Sequence, residues 1–571
     1  MLKFLKIVTL ITICNVKMFS QKISKEGFIS PLDIPLYLSG NYGELRADHF
    51  HVGIDIKTMG EPGKPVYASM EGYISRIKVQ IGGYGKSIYI NHPNGYTTVY
   101  AHLDKFMPDV EEYVTKAQYV SKSFEVDLYP TIYEFQVEEG QKIALSGNTG
   151  SSGGPHLHFE IRKSADHVPV NALSFNLPVS DRRFPEFKSL YAYSFATDIV
   201  VANNGEIRKY YPVVKLNDST YTVPGNIITR KEYVGFASEV YDFLDGSENK
   251  CGIRVLELII DKKLLFSFEI DNISFGLTRY INAHMDYNLK SEEKRSVHRL
   301  YKLPNNKLPI YKGELTDKLL HINDNLLHQG EIAATDIYGN KSVLKFNFKK
   351  ASNINNSLSD SNNILVLWKY GILVDSLNYK FRIPADALYQ DTYLQYEFIT
   401  GEENSLSDTL ILHHESEPLH RNVNVILKVN KFDPGMKNKL LIVRMNNEKK
   451  IISEAGKFEN GYLKTSSRSF GKFYVSIDTV APSIKSGLTD SRKYSVGDKL
   501  IFTVTDDLSG IWKYNAYIDN EWVLLEYDAK TDQMFYTIDE KRLVPGKKHE
   551  LKVIVVDERN NQSVSKQSFE F

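Results

Sequence analysis

Pro155-His156-Leu157-His158-Phe159-Glu160-Ile161 alternates apolar and polar residues, the signature of a β-strand with one face turned from water. His156 and His158 are two apart, so a strand points both imidazoles to the same face, where they can serve one metal site. A second stretch, His51-Val52-Gly53-Ile54-Asp55-Ile56, alternates in the same way, and His51 and Asp55 share parity. Three nitrogen or oxygen ligands with an open fourth position make up the catalytic zinc arrangement. Bound zinc lowers the pKa of its water toward ~7 and polarises a carbonyl. A third strand-like stretch, Tyr96 to Leu103, carries His102, a candidate general base or transition-state donor because a free imidazole titrates near neutrality.

Around these stretches the chain is long and ordinary in composition. Its 571 residues exceed one core, so two to four domains are expected. Lys+Arg and Asp+Glu are equal at 70 each, so net charge makes no case for nucleic acid or an anionic membrane as partner. The 36 Tyr and 29 Phe suit pleated surfaces and favour a strand-rich chain. Lys3 and Lys6 precede a short apolar run from Ile7 to Cys14, and Ser20 offers a cleavage point. Residues 1–20 therefore read as a signal peptide that sends the protein to the periplasm or outside the cell. Ile13 stands before Cys14, where a lipoprotein signal needs a small residue. Past the signal a single cysteine remains, Cys251, which excludes an intrachain disulfide. No later segment has 18 consecutive apolar residues, so no transmembrane segment is expected in the mature chain.

Four regions follow the signal: 30–180, rich in Gly and His; 181–350, strand-like; 364–478, again strand-like after the polar linker Ala351 to Asn363; and 480–571. Regions 181–350 and 480–571 share a weak repeat. Asp242 and Asp245 precede Cys251-Gly252-Ile253 in one; Asp506 and Asp507 precede Gly510-Ile511-Trp512 in the other. Each closes on Asp and Asn about one turn: Asp336 with Asn340, and Asp557 with Asn561. Such residues cap turns by bonding their own backbone, so the pattern reads as structural. Short strands with regular turns suggest Ig-like β-sandwiches, the first with a long insertion around Ser291 to Asn306. The best helical candidate, Asp109 to Gln118, is short, and the whole chain reads as mostly β.

Two other motifs fail. Gly85-Lys86-Ser87 echoes a phosphate loop, but Gln80 stands where its first Gly belongs. His49-Phe50-His51 followed by Asp55 echoes a cupin metal motif, which leaves His156 and His158 unexplained. His49 reads as supporting rather than ligating, His92 as part of a turn, His167 as exposed, and Arg46 as a loop residue or a holder of a substrate carboxylate.

Taken together, Phe50-His51-Val52-Gly53-Ile54-Asp55-Ile56, Gly82-Gly83-Tyr84-Gly85, Tyr100-Ala101-His102-Leu103, Glu139-Gly140-Gln141 and the run from Gly147 to Glu160 resemble the lysostaphin-type, LytM-like zinc endopeptidases, metallopeptidase family twenty-three. The resemblance covers roughly Asn41 to Pro169. It implies an antiparallel β-sheet peptidase domain with a groove, ahead of the Ig-like domains. By resemblance His51, Asp55 and His158 are Zn2+ ligands; His102 and His156 are catalytic histidines that share activation of a water and stabilisation of the oxyanion. It implies a secreted zinc metalloendopeptidase that cuts peptide crosslinks of bacterial peptidoglycan through a zinc-activated water. The C-terminal β domains, outside the resemblance, offer a surface for a protein partner. Degenerate members lose ligands and act as wall-binding regulators of other hydrolases; all five residues are present here. A protease for glycine-rich proteins is the remaining alternative. The departure from the family is Asp104 to Phe135, a long segment expected to flank the groove as a wall or lid.

Overall fold

The structure, a computed structural model, describes residues 27–202, 206–351, 363–488 and 493–571. The expected signal stretch 1–20 and residues 352–362 of the expected linker lie outside them. The described chain is mostly antiparallel β-sheet. None of its helices is long and apolar enough to cross a membrane.

The histidine-rich region forms one 11-stranded sheet from β1 (Leu38–Gly40), β2 (Ile54–Lys57), β3 (Pro65–Tyr67), β4 (Gly72–Val79), β5 (Lys86–Asn91), β6 (Tyr96–Phe106), β7 (Val126–Leu128), β8 (Gln136–Val137), β9 (Lys142–Ser146), β10 (His156–Lys163) and β11 (Pro169–Val170). The main path runs β1-β2-β10-β6-β5-β4-β7, with β10 antiparallel to both β2 and β6. Alternation does the placing. Leu157, Phe159 and Ile161 of β10 and Ile54 and Ile56 of β2 turn into one apolar core, which leaves His156, His158, Glu160 and Asp55 for the other face. Fully burying side chains of this size stabilises by roughly 1.5–3 kcal/mol each, so register is strongly fixed here.

The segment after His102 is neither loop nor bare insertion. Its first residues complete β6, and helix α1 follows over Pro108–Ser121, three residues longer at its C-terminal end than the expected Asp109 to Gln118. Pro108 opens the helix, and Lys122 ends it in a left-handed conformation. β7 then adds the last strand on the β4 edge.

The site-bearing sheet interlocks with the 181–350 region. Tyr42, Leu45, Phe50 and Val52 belong to the core of that region, whereas Leu244 and Cys251 belong to the core under β2 and β10. Asn41 binds Gly252 through both its side-chain groups, at 2.8 and 2.7 Å. The departure from the repeat in region 181–350 is wider than the expected Ser291 to Asn306. It begins after the strand Lys263–Glu269 and includes the helices Ile281–His284 and Tyr287–Glu293 before the repeat resumes at His328–Thr335. In the C-terminal region two four-stranded sheets share one core.

Two histidines inside the wide insertion make a prediction. His284 and His298 are fully buried, 2.9 Å apart, with the other side of His284 on Tyr311. Burial holds both imidazoles down, His298 to about 3. A histidine kept neutral in the fold but free to protonate when unfolded contributes stability above its ordinary pKa near 6.5, and that contribution is lost as pH falls. Stability to urea should therefore drop from pH 7 to pH 5, by roughly 1.4 kcal/mol per pH unit for each histidine once below 6.5. The slope should be shallower in His298→Gln; an unchanged slope removes this pair as the cause.

Candidate metal centre

Register sets His158 of β10 opposite Asp55 of β2 on one side and Ala101 of β6 on the other. His51 reaches the same place differently from the sequence expectation. β2 starts only at Ile54, so His51 lies before the strand and Gly53 forms the bend. A Cβ on Gly53 would stand 2.8 Å from His158 Cε1 and 2.7 Å from the Phe159 carbonyl, so the missing side chain lets the two segments close.

Three atoms then converge. His51 Nε2 is 3.1 Å from His158 Nδ1 and 3.0 Å from Asp55 Oδ1, and His158 Nδ1 is 2.8 Å from Asp55 Oδ1. The partners behind these rings fix their tautomers. His51 Nδ1 donates to the Asn41 carbonyl at 2.8 Å, and His158 Nε2 donates to Glu160 Oε1 at 2.8 Å. Each ring therefore turns a lone pair inward, toward a carboxylate. Lone pairs cannot satisfy one another, so the trio calls for a proton or a cation at its centre, and one zinc at ~2.0–2.2 Å from each can meet all three. Backing of this kind also orients ligand rings. Burial pushes His158 down, but Asp55 and Glu160 outweigh it and hold the imidazole at about 9; the pocket favours positive charge. Asp55 is held well below the usual carboxylate range despite its burial, by His51, His156 and His158.

His102 and His156 stand beside the trio, their ring centroids 4.8 Å apart. His102 Nδ1 donates to the Thr149 carbonyl and His156 Nδ1 to the Gly154 carbonyl, both at 2.8 Å. Both rings so turn Nε2 toward the site; that of His156 is 3.4 Å from Asp55 Oδ1. His102 adopts φ +60°, rare for a residue with a side chain. Here β6 leaves β10 and turns toward β9, and the bulged backbone aims the ring at the site. The loop that carries Thr149 is fixed by glycine: Gly150 has φ +70°, and a Cβ there would come 2.3 Å from the Gly85 nitrogen. Burial first, then His158 and His156, push His102 down to about 3.

The structure thus brings all five expected residues together and leaves the other histidines out. His49 is exposed and bonds Asp48; His167 is exposed; His92 is buried between the Glu71 carbonyl and Thr98. Arg46 bonds Asp55 Oδ2 at 2.8 Å and Glu44 at 3.1 Å, so it braces a candidate ligand instead of waiting for substrate. Three further residues carry the site without having been assigned a part by sequence reading. Glu160, fully buried, accepts from His158, from Arg162 Nε at 2.6 Å and from the Tyr84 hydroxyl. Tyr84 also stacks on His158, with centroids 5.2 Å apart. The signal for Glu160 was its parity with His158; Tyr84 stood in the Gly82–Gly85 motif with no role attached, and nothing local marked Arg162.

Comparison with known proteins picks out the same region. The model of peptidase family M23 matches residues 49–127 and 133–172, and that of the Zu5-like domain matches 363–478. The DD-carboxypeptidase/endopeptidase Mpg of Neisseria meningitidis serogroup B is 36% identical over 137 residues, 24% of this chain and 25% of that protein. The lipoprotein NlpD of Yersinia enterocolitica is 32% identical over 109 residues, 19% of this chain and 88% of that protein. A crystal structure of a zinc-containing peptidase from Vibrio cholerae aligns at 28% identity and a TM-score of 0.20, over 27% of this chain and 41% of that one. The chain spans about a quarter of the length of the Neisseria relative.

Proposed function

We propose, from the premise that this chain belongs to peptidase family M23 through residues 49–172, that it is an exported zinc endopeptidase hydrolysing peptide crosslinks of peptidoglycan. The observation that carries the reading is the convergence of His51 Nε2, Asp55 Oδ1 and His158 Nδ1, with two further imidazoles alongside. His51, Asp55 and His158 would hold the metal. Bound zinc supplies a Lewis acid that makes water acidic and polarises the scissile carbonyl. The remaining work falls to the two Nε2 atoms. One of His102 and His156 takes a proton from the attacking water as oxygen adds to the carbonyl carbon; the other, in its protonated form, donates to the developing oxyanion. The C–N bond then breaks, and the proton passes to the leaving amine. A module that only docked on the wall would have no use for two more histidines whose Nδ1 atoms are each pinned by a carbonyl.

Residues 30–180 are taken as the peptidase unit, with 181–350, 364–478 and 480–571 as units that place it on the wall; the Ig-like reading of the second and last belongs to this proposal. The test is digestion of purified sacculi by the zinc-loaded full chain, with identification of new termini. Release of peptide with a free amine at a crosslink supports the reading. Binding to sacculi with no new termini would replace it with the docking module, and cleavage confined to glycine-rich protein with the alternative protease.

A further inference from the structure

We propose that Asp181, Asp242 and Asp336 form a calcium site, separate from the histidine cluster, at the junction between the peptidase sheet and the 181–350 unit. One oxygen of each carboxylate lies within 4.8 Å of the others, a span that one calcium ion at ~2.3–2.6 Å from each can bridge. The three residues come from distant parts of the chain and are 9%, 0% and 1% exposed. Neither oxygen of Asp242 makes a hydrogen bond, and neither does Oδ2 of Asp181. Asp336 is held from behind: its Oδ1 accepts the amides of Tyr338 and Asn340, both at 2.8 Å, and its Oδ2 accepts from the Asn340 side chain at 2.7 Å. Arg182 and Arg183, the nearest bases along the chain, turn their guanidinium groups away, to Asp245 and to the Ser247 carbonyl and Glu248 respectively.

Unpartnered buried carboxylates are costly. Each buried ion loses several kcal/mol of hydration, and three like charges at this range repel one another. The group must therefore be neutralised by protons or by a cation. Oxygen-only donors suit a hard cation, and a site built from three separate segments suits calcium, which tolerates irregular geometry that magnesium does not.

The position gives the site its use. Leu177, Val179, Leu244 and Ile337, sequence neighbours of the three acids, all pack into the core beneath β2 and β10. An ion there fastens the entering chain, the 242–251 loop and the Asp336 turn at one point. The arrangement recurs where the third unit passes the chain to the fourth. Asp478, Asp506 and Asp557 form the same three-acid group. Asn561 bonds Asp557 at the same 2.7 Å, and Asp506 Oδ1 has no partner. Turn capping, the sequence-based reading of Asp242, Asp336 and Asp557, accounts for Asp336 and Asp557 but not for Asp242, and Asp181 caps the Arg183 amide with Oδ1 alone, leaving Oδ2 over.

The test is calcium titration, by calorimetry and thermal melting, of the zinc-replete full chain freed of calcium. Asp242→Asn should bind one calcium fewer per chain and lose most of the calcium-dependent rise in melting temperature. Without calcium, Asp242→Asn should melt no lower than the parent, because a repelling charge is gone; Asp181→Asn should behave alike. Equal calcium stoichiometry in parent and Asp242→Asn overturns the proposal. So does a parent that takes up no calcium at millimolar concentration, which would leave protons as the neutralising species.

Discussion

His158→Ala should leave a folded protein that holds no zinc and hydrolyses nothing. His158 contributes one of three converging donor atoms, at 2.8 and 3.1 Å from the other two, whereas His156 Nε2 stands farther from Asp55 Oδ1, at 3.4 Å. The contrast lies with His102→Ala and His156→Ala. Their Nε2 atoms turn toward the site and their Nδ1 atoms are held by carbonyls, so removing either ring should leave zinc at one per chain while turnover falls by about 10²–10⁴. Metal analysis beside kinetics on a crosslinked muropeptide reads all three variants. Loss of zinc from the His156→Ala protein would show that the ligand set has been drawn wrongly.

Glu160→Gln should cost both metal and stability while sparing the chemistry itself. The carboxylate accepts the hydrogen bond from His158 Nε2, and it is also the buried counter-ion of Arg162, whose side chain is 8% exposed. Behind a metal ligand, such a partner is worth 10–100-fold in affinity, and zinc should bind more weakly by about that factor. Breaking a buried pair while leaving its cation behind typically costs ~3–5 kcal/mol. Arg162 keeps the rings of Phe275 and Tyr89 against it, at 4.6 and 5.4 Å, so the lower end is expected. Excess zinc should restore turnover, because Glu160 positions a ligand and does not touch substrate. A variant that stays dead at saturating zinc would put the carboxylate in the reaction.

The sequence made the strands and their faces legible where burial is one-sided. Alternation from Pro155 to Ile161 is enough to turn Leu157, Phe159 and Ile161 inward, and the histidines follow by parity. It failed at His51, where alternation continues through a stretch that is not strand: the face is reached by a bend at Gly53, and only a neighbour across the sheet reveals why no side chain fits there. Pairings between segments a hundred residues apart, such as β2 with β10, leave no local trace. For the same reason Arg162, Tyr84 and Asn41 could not be given their parts in the site. Asp242 looks like any turn acid until Asp181 and Asp336 arrive beside it.

The chain also folds back on itself. Glu526 pairs with Lys86 at 3.1 Å, Trp522 packs edge-on against Tyr119 of α1 with centroids 5.1 Å apart, and Lys530 caps the Asn148 carbonyl, next to the Thr149 that steadies His102. Lys530 lies 382 residues beyond Asn148. At ~5–20 residues per second of synthesis, a nascent chain makes the loop that steadies His102 roughly 20–80 s before its last support exists. The five site residues are thus translated long before Trp522, Glu526 and Lys530, which finish the rim of their cleft.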